Sequence, residues 1–158
     1  MSKYPNRVVP EWAMEEAAAA IQWVKAKYPT LGRGGWEIGL GWDSEESVAT
    51  AIAFLDFSGV QVRERLNREC TSYSWKHRAE EWGGAIGFAP YVANGDMILA
   101  ALWRGVKTRR ANDVDWKGPN SYCALHLPEN LLWYRRARRR APEPTRASVS
   151  DDRVEEVS

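Results

Sequence analysis

The densest group of titratable side chains in the chain is Lys76, His77, Glu80 and Glu81. On a helix His77 meets Glu80 and Glu81 three and four positions on, where a carboxylate can orient or charge an imidazole. A general base is built this way, and so is half of a metal site. Zinc needs three or four ligands, and the remaining candidates are His126, Cys70 and Cys123. With so few ligands, no metal and no cofactor is expected. Cys123 and His126 fall three apart on a predicted strand, an odd separation that turns them to opposite faces and away from a nucleophile–base pair. Whether His77, Cys70, Cys123 and His126 meet in space is left open by the sequence. No HExxH, EF-hand loop, GxGxxG or serine-triad signature occurs. Lys76, His77 and Glu80 are what a small enzyme would have to use. The plainer reading is a surface helix with i,i+4 ion pairs of ~0.3–0.5 kcal/mol each. An enzyme is not the favoured class.

The second grouping is basic. Arg104, Lys107, Arg109 and Arg110 surround one predicted strand, and Arg135, Arg136, Arg138, Arg139 and Arg140 extend the last predicted helix. Net charge is −3 over residues 1–62, zero over 63–99, +7 over 100–140 and −3 over 141–158. Such segregation speaks of partners rather than of fold. Arginines that neutralise phosphates release counterions, and each contact adds ~0.9 to the salt slope on duplex DNA. Trp103, Trp116, Trp133 and Tyr134 interleave with these arginines and could stack on bases. The plainer reading is a solvated basic end, partly neutralised by the acidic tail.

These residues depend on the elements that carry them. Trp12–Tyr28 has the spacing of a helix, stopped by Pro29 and the glycines at 32, 34 and 35. Trp36–Trp42 alternates apolar and polar, the pattern of a strand with one buried face. Asp43 caps a helix over Ser44–Phe57 that Gly59 ends, and Arg63–Glu69 reads as a charged helical turn or two. Tyr73–Trp82 is a polar helix closed by Gly83 and Gly84. A second helix is opened by Asn94, buries Met97, Ile98, Ala101 and Leu102, and is closed by Gly105. Val106–Arg110 and Tyr122–Leu127 are strands joined by a loop through Asn112, Asp113, Gly118, Pro119 and Asn120. Pro128 starts the last helix. Residues 1–8 form a loose arm, and residues 141–158 are an acidic tail too poor in large apolar residues to fold alone.

The fold class that follows is α+β. One small domain, residues 1–140, sets about five helices around a small, mainly antiparallel sheet, with a helix-turn-helix-plus-hairpin-like segment that begins at Thr71. The would-be recognition helix, residues 95–104, is mostly apolar and has few side chains that read base edges. Backbone contact is therefore expected rather than sequence readout. No stretch approaches 18 apolar residues, and two cysteines imply no disulfide framework. A cytoplasmic protein without membrane contact is expected.

Around Ser72–Asn120, the order SYSWKH, then YVANGDMILAAL, then PNSY loosely resembles small phage- and plasmid-encoded proteins. That resemblance covers about a third of the chain and implies a mobile-element origin; it carries no activity and no site. The leading expectation is a nucleic-acid-binding accessory or regulatory protein of a mobile element. It would hold phosphates with Arg104, Lys107, Arg109, Arg110, Trp116 and the Arg135–Arg140 cluster. The competing class is a protein-interaction module that inhibits or adapts a host or defence complex, of the anti-CRISPR type, through Glu11, Glu15 and Glu16 or exposed tryptophans. A homodimer is a further allowed assembly.

Overall fold

Two helices with no polar side set the centre of the molecule. α2, Glu45–Phe57, is buried without a break from Ser47 to Leu55, and α4, Asn94–Trp103, from Asn94 to Ala101. A helix that is apolar all round must be enclosed. α1, Glu11–Lys27, covers α2 and α4 with Ala13, Ala17, Ala20, Ile21 and Val24, one stripe at helical spacing. α3, Ser72–Ile86, packs on both from another side and is itself met by α5, Leu132–Arg140. The buried Thr50 hydroxyl inside α2 donates to the Glu46 carbonyl at 2.9 Å, which satisfies it within its own helix.

In this computed structural model the described residues are 9–39, 41–42, 44–88, 91–113 and 116–140. The N-terminal arm and the acidic tail expected from the sequence lie outside them. So do the side chains of Trp116, Arg138, Arg139 and Arg140.

Among the described residues there are two antiparallel sheets, which with the helices make the domain α+β. β1, Leu31–Gly32, pairs with β2, Gly35–Trp36, as a two-residue hairpin. The larger sheet has the order β3-β5-β4, from Gln61–Asn67, Trp116–His126 and Thr108–Asp113. Cys123 and Leu125 turn inward from its central strand to the core, and His126 is exposed.

Several local expectations are corrected. The strand expected over Trp36–Trp42 stops at Trp36, because Glu37 and Gly39 take positive φ of 62° and 76° and end the extended run. Arg63–Glu69 is not helical. Residues 63–67 belong to β3, whose pairing to β5 overrides the local preference. The loop expected between the last two strands is largely strand, since pairing continues to Asn112↔Lys117 and Asp113↔Trp116. α3 runs through Gly83 and Gly84 and ends at Gly87, whose φ of 88° suits a left-handed cap. Ser44 rather than Asp43 caps α2, accepting from the Ser47 N–H at 3.3 Å. Ala93 precedes α4, and Asp96 reaches back to its N–H at 2.8 Å.

Asn94, released from capping, joins the elements instead. Its Nδ2 donates to Asn120 Oδ1 at 2.9 Å and to the Gly34 carbonyl at 3.2 Å, and its Oδ1 accepts from the Ser72 hydroxyl at 2.7 Å. Ser72 Oγ in turn accepts the Ser121 N–H at 2.9 Å, and Ser121 Oγ accepts the Trp36 indole at 2.8 Å. Gly95 donates to the Arg33 carbonyl at 2.8 Å, so close that a Cβ there would lie 1.9 Å from the Gly32 oxygen. One buried polar network thus pins the β1–β2 hairpin, α3, α4 and β5 together. Ser72, Asn94, Asn120 and Ser121 come from the three segments SYSWKH, YVANGDMILAAL and PNSY, and Arg33, Gly34 and Trp36 from the hairpin.

β3 is irregular. Val62 pairs with Leu125 and Asn67 with Cys123, so five steps on β3 answer two on β5. The excess bulges outward with Arg63, Glu64 and Arg65 exposed. Asn67 closes the bulge: its Nδ2 donates to the Leu125 carbonyl at 3.1 Å and its Oδ1 accepts the Glu69 N–H at 3.0 Å.

Candidate nucleic-acid interface

Arg109 on β4 stands opposite Tyr122 on β5, and directly paired residues of an antiparallel ladder share a face. The bulge of β3 brings Arg68 to the same place, with its guanidinium 5.5 Å from the centre of the Tyr122 ring. Arg110 and Asn112 complete the walls of a cleft of about 190 Å³. Arg110 is fixed there. Its Nε donates to the Gly118 carbonyl at 2.8 Å and its Nη2 to Glu37 at 2.9 Å. Glu37 is the non-glycine residue at positive φ, and its own N–H donates to the Thr30 carbonyl at 2.8 Å. The guanidinium groups of Arg68 and Arg109 beside Tyr122 form a donor-rich surface of the kind that receives phosphate oxygens, while that of Arg110 is committed to Gly118 and Glu37.

The other basic candidates divide. Lys107 is exposed before β4, and Arg135 and Arg136 are exposed on α5. Arg104 is not part of any open surface. It grips Asp56 with hydrogen bonds of 2.8 and 2.6 Å and also closes on Glu16, to which the Trp103 indole donates at 3.1 Å. Hydrogen bonds to Asp56 and Glu16 raise its already high pKa further, and the Arg104 hydrogen bond holds the Glu16 carboxyl below its usual range. Its charge is spent on joining α1, α2 and α4.

Three of the interleaved aromatics, Trp103, Trp133 and Tyr134, also pack against the protein. Trp103 lies edge-on to Trp23, Trp133 donates to the Ser58 carbonyl at 2.8 Å against the Phe54 ring, and Tyr134 accepts from Arg78 at 2.9 Å. α4 is too deeply buried to enter a groove. Charge for a polyanion lies on the sheet and on α5.

Lys76, His77 and Glu80 do come together on α3. Lys76 is only 7% exposed, and its ammonium binds Glu80 at 2.9 Å while facing the rings of Tyr91 at 5.0 Å and Tyr73 at 5.3 Å. His77 Nδ1 lies 3.7 Å from the same Glu80 oxygen, and its ring meets Tyr73 edge to face. This arrangement anchors Lys76. Neither Cys70 nor Cys123 is in a disulfide, and among the described residues no group of three or more His, Cys, Asp or Glu side chains is placed to hold a metal. No helix among the described residues is long and apolar enough to cross a membrane.

Arg68, Asn112 and Tyr122 were not candidates on sequence grounds. Reading RERLNRE as a helical turn hid Arg68, and with Glu64 between Val62 and Leu66 no clean apolar alternation was there to signal the strand.

Comparison of the chain with family models, with curated protein sequences and with solved structures finds no match. What fold and surface define is a small α+β protein with a basic cleft on its sheet.

Proposed function

We propose that the chain binds nucleic acid through the backbone, as an accessory or regulatory protein of a mobile element. The cleft formed by Arg68, Arg109, Arg110 and Tyr122 carries this reading. Arg68 comes from the end of β3 and Arg109 from β4, so the two converge on Tyr122 without being neighbours in sequence. Lys107 extends the same basic stretch, and Arg135 and Arg136 add a further exposed pair on α5. Phosphate contacts of this kind supply affinity without base specificity. Fluorescence anisotropy with labelled duplex and single-stranded DNA and RNA at two salt concentrations tests it. Binding at low salt that weakens steeply with added salt, and weakens in the Arg68→Ala/Arg109→Ala double variant, is the expected result. No binding at low salt, or full affinity in the double variant, rejects it.

A protein partner is the second reading, supported by a different observation. Trp12 and Phe57 are 50% and 63% exposed and meet edge to face at 5.8 Å. Exposed aromatic pairs are the anchors of protein interfaces. A nuclease-resistant stoichiometric complex, captured by the native chain and lost with Trp12→Ala, would favour this reading.

A further inference from the structure

Beside the end of β3 a second cleft, of about 670 Å³, opens between α3, the link from β5 to α5, and α5. Its volume is that of a small-molecule site, ~300–1,000 Å³. Glu69, Trp75, Arg78, His126, Glu129 and Tyr134 are among its walls.

Arg78 is held there in an unusual way. Its guanidinium lies 5.4 Å from the centre of the Trp75 ring and 5.3 Å from that of Tyr134, and its Nη1 donates to the Tyr134 hydroxyl at 2.9 Å. Among the described residues no carboxylate lies within ion-pair distance of it, and Glu81, three positions on along α3, acts on it only through the longer-range field. A guanidinium stacked on aromatic rings keeps its in-plane N–H groups for an acceptor, the geometry in which arginine takes an oxyanion.

Two buried donors in the same wall lack an acceptor among the described residues. They are the indole N–H of Trp75, a residue 1% exposed, and the Nε–H of Arg78. Buried N–H groups are nearly always satisfied, so the two orphans mark this wall as one whose polar groups are incompletely paired, and both are closed off from the cleft as they stand. Glu69 and Glu129 stand at the exposed side of the cleft and offer only acceptors when ionised. They disfavour a continuous polyanion and suit a ligand with donor groups of its own.

We propose that this cleft is a site for a nucleoside monophosphate, with the phosphate on the Arg78 guanidinium beside Trp75 and an exocyclic base amine toward Glu69 and Glu129. The site is separate from the arginine cleft on the sheet and does not rest on it. The ligand is either a free nucleotide or the 5′-phosphorylated end of a strand.

The indole N–H resonance of Trp75, assigned with Trp75→Phe, reports directly on the site in ¹H–¹⁵N spectra of the full chain. Titration with AMP shifts it saturably, adenosine does not shift it, and UMP, which has no exocyclic amine, binds several-fold more weakly. Arg78→Lys keeps the charge but loses the planar fork, and weakens AMP about tenfold. Glu129→Gln, at an exposed position, narrows the preference for AMP over UMP. Arg109→Ala leaves AMP binding unchanged. Competition by a 5′-phosphorylated hexanucleotide makes the strand end the source, and its absence makes it the free nucleotide. No saturable shift with AMP, equal shifts with AMP and adenosine, or loss of AMP binding in Arg109→Ala overturns the proposal.

Discussion

Arg104 holds Asp56 through two hydrogen bonds, 2.8 and 2.6 Å long, and takes Glu16 from the other side. One guanidinium thereby joins three helices. Arg104→Ala is expected to lower the unfolding free energy by ~1–3 kcal/mol, since it strands two carboxylates that had charge-assisted partners. Urea denaturation measures this, and nucleic-acid affinity of the folded variant should stay unchanged. Glu16 gives the effect a pH signature. Its carboxyl is depressed in the fold by Arg104, so its stabilisation is present above the ordinary carboxylate range and is lost as pH falls through the folded value. The gap between native protein and variant is full at neutral pH and closes in acid.

Arg68 and Arg109 face the sheet cleft, and each is expected to carry one phosphate contact. Arg68→Ala and Arg109→Ala should each reduce the logarithmic salt slope for duplex DNA by ~0.9, with the double variant losing about twice that. Slopes unchanged by either substitution would assign the binding elsewhere, and Arg135→Ala/Arg136→Ala then tests α5.

Gly95 sits where no side chain fits. A Cβ at that position would fall 1.9 Å from the Gly32 carbonyl and 2.7 Å from the Arg33 backbone, so neither neighbour can yield by a rotamer change. Gly95→Ala should cost ~3 kcal/mol or more and release the β1–β2 hairpin. Thermal melts followed by circular dichroism, with Trp36 fluorescence for the hairpin, check both halves of that statement.

Asn94→Ala removes the centre of the polar network and leaves Ser72, Asn120 and the Gly34 carbonyl short of a partner. An expected loss of ~2–3 kcal/mol follows from burying groups unsatisfied. Asn94→Asp, which keeps the shape and one acceptor but loses the donor, should be nearly as damaging.

Helical spacing of buried residues made α1 and α3 legible in the sequence, while α2 and α4 were marked by apolar runs closed by a glycine. β3 was not legible. Its middle leaves the ladder, so Arg63, Glu64 and Arg65 are all exposed and no alternation of burial marks the strand. The site shows a second limit. Arg104 and Arg109 look alike in a row of basic residues, and only Asp56, 48 positions away, separates a clamp from a surface charge. Tyr122 likewise becomes a site residue only through Arg68, which β3 delivers from the far edge of the sheet.

Cys123 faces the core from the middle of β5, paired to Thr108 on one side and Asn67 on the other. Burial pushes its thiol up to about 12, which leaves almost no thiolate at neutral pH, and Cys70 is the more accessible of the two. Iodoacetamide should therefore modify Cys70 first and reach Cys123 only when the central strand comes away from both neighbours. Mass spectrometry of the labelled chain would then time that event, with faster capture expected for Gly95→Ala. The sheet that presents the arginines on one face carries on the other a chemical clock for its own opening.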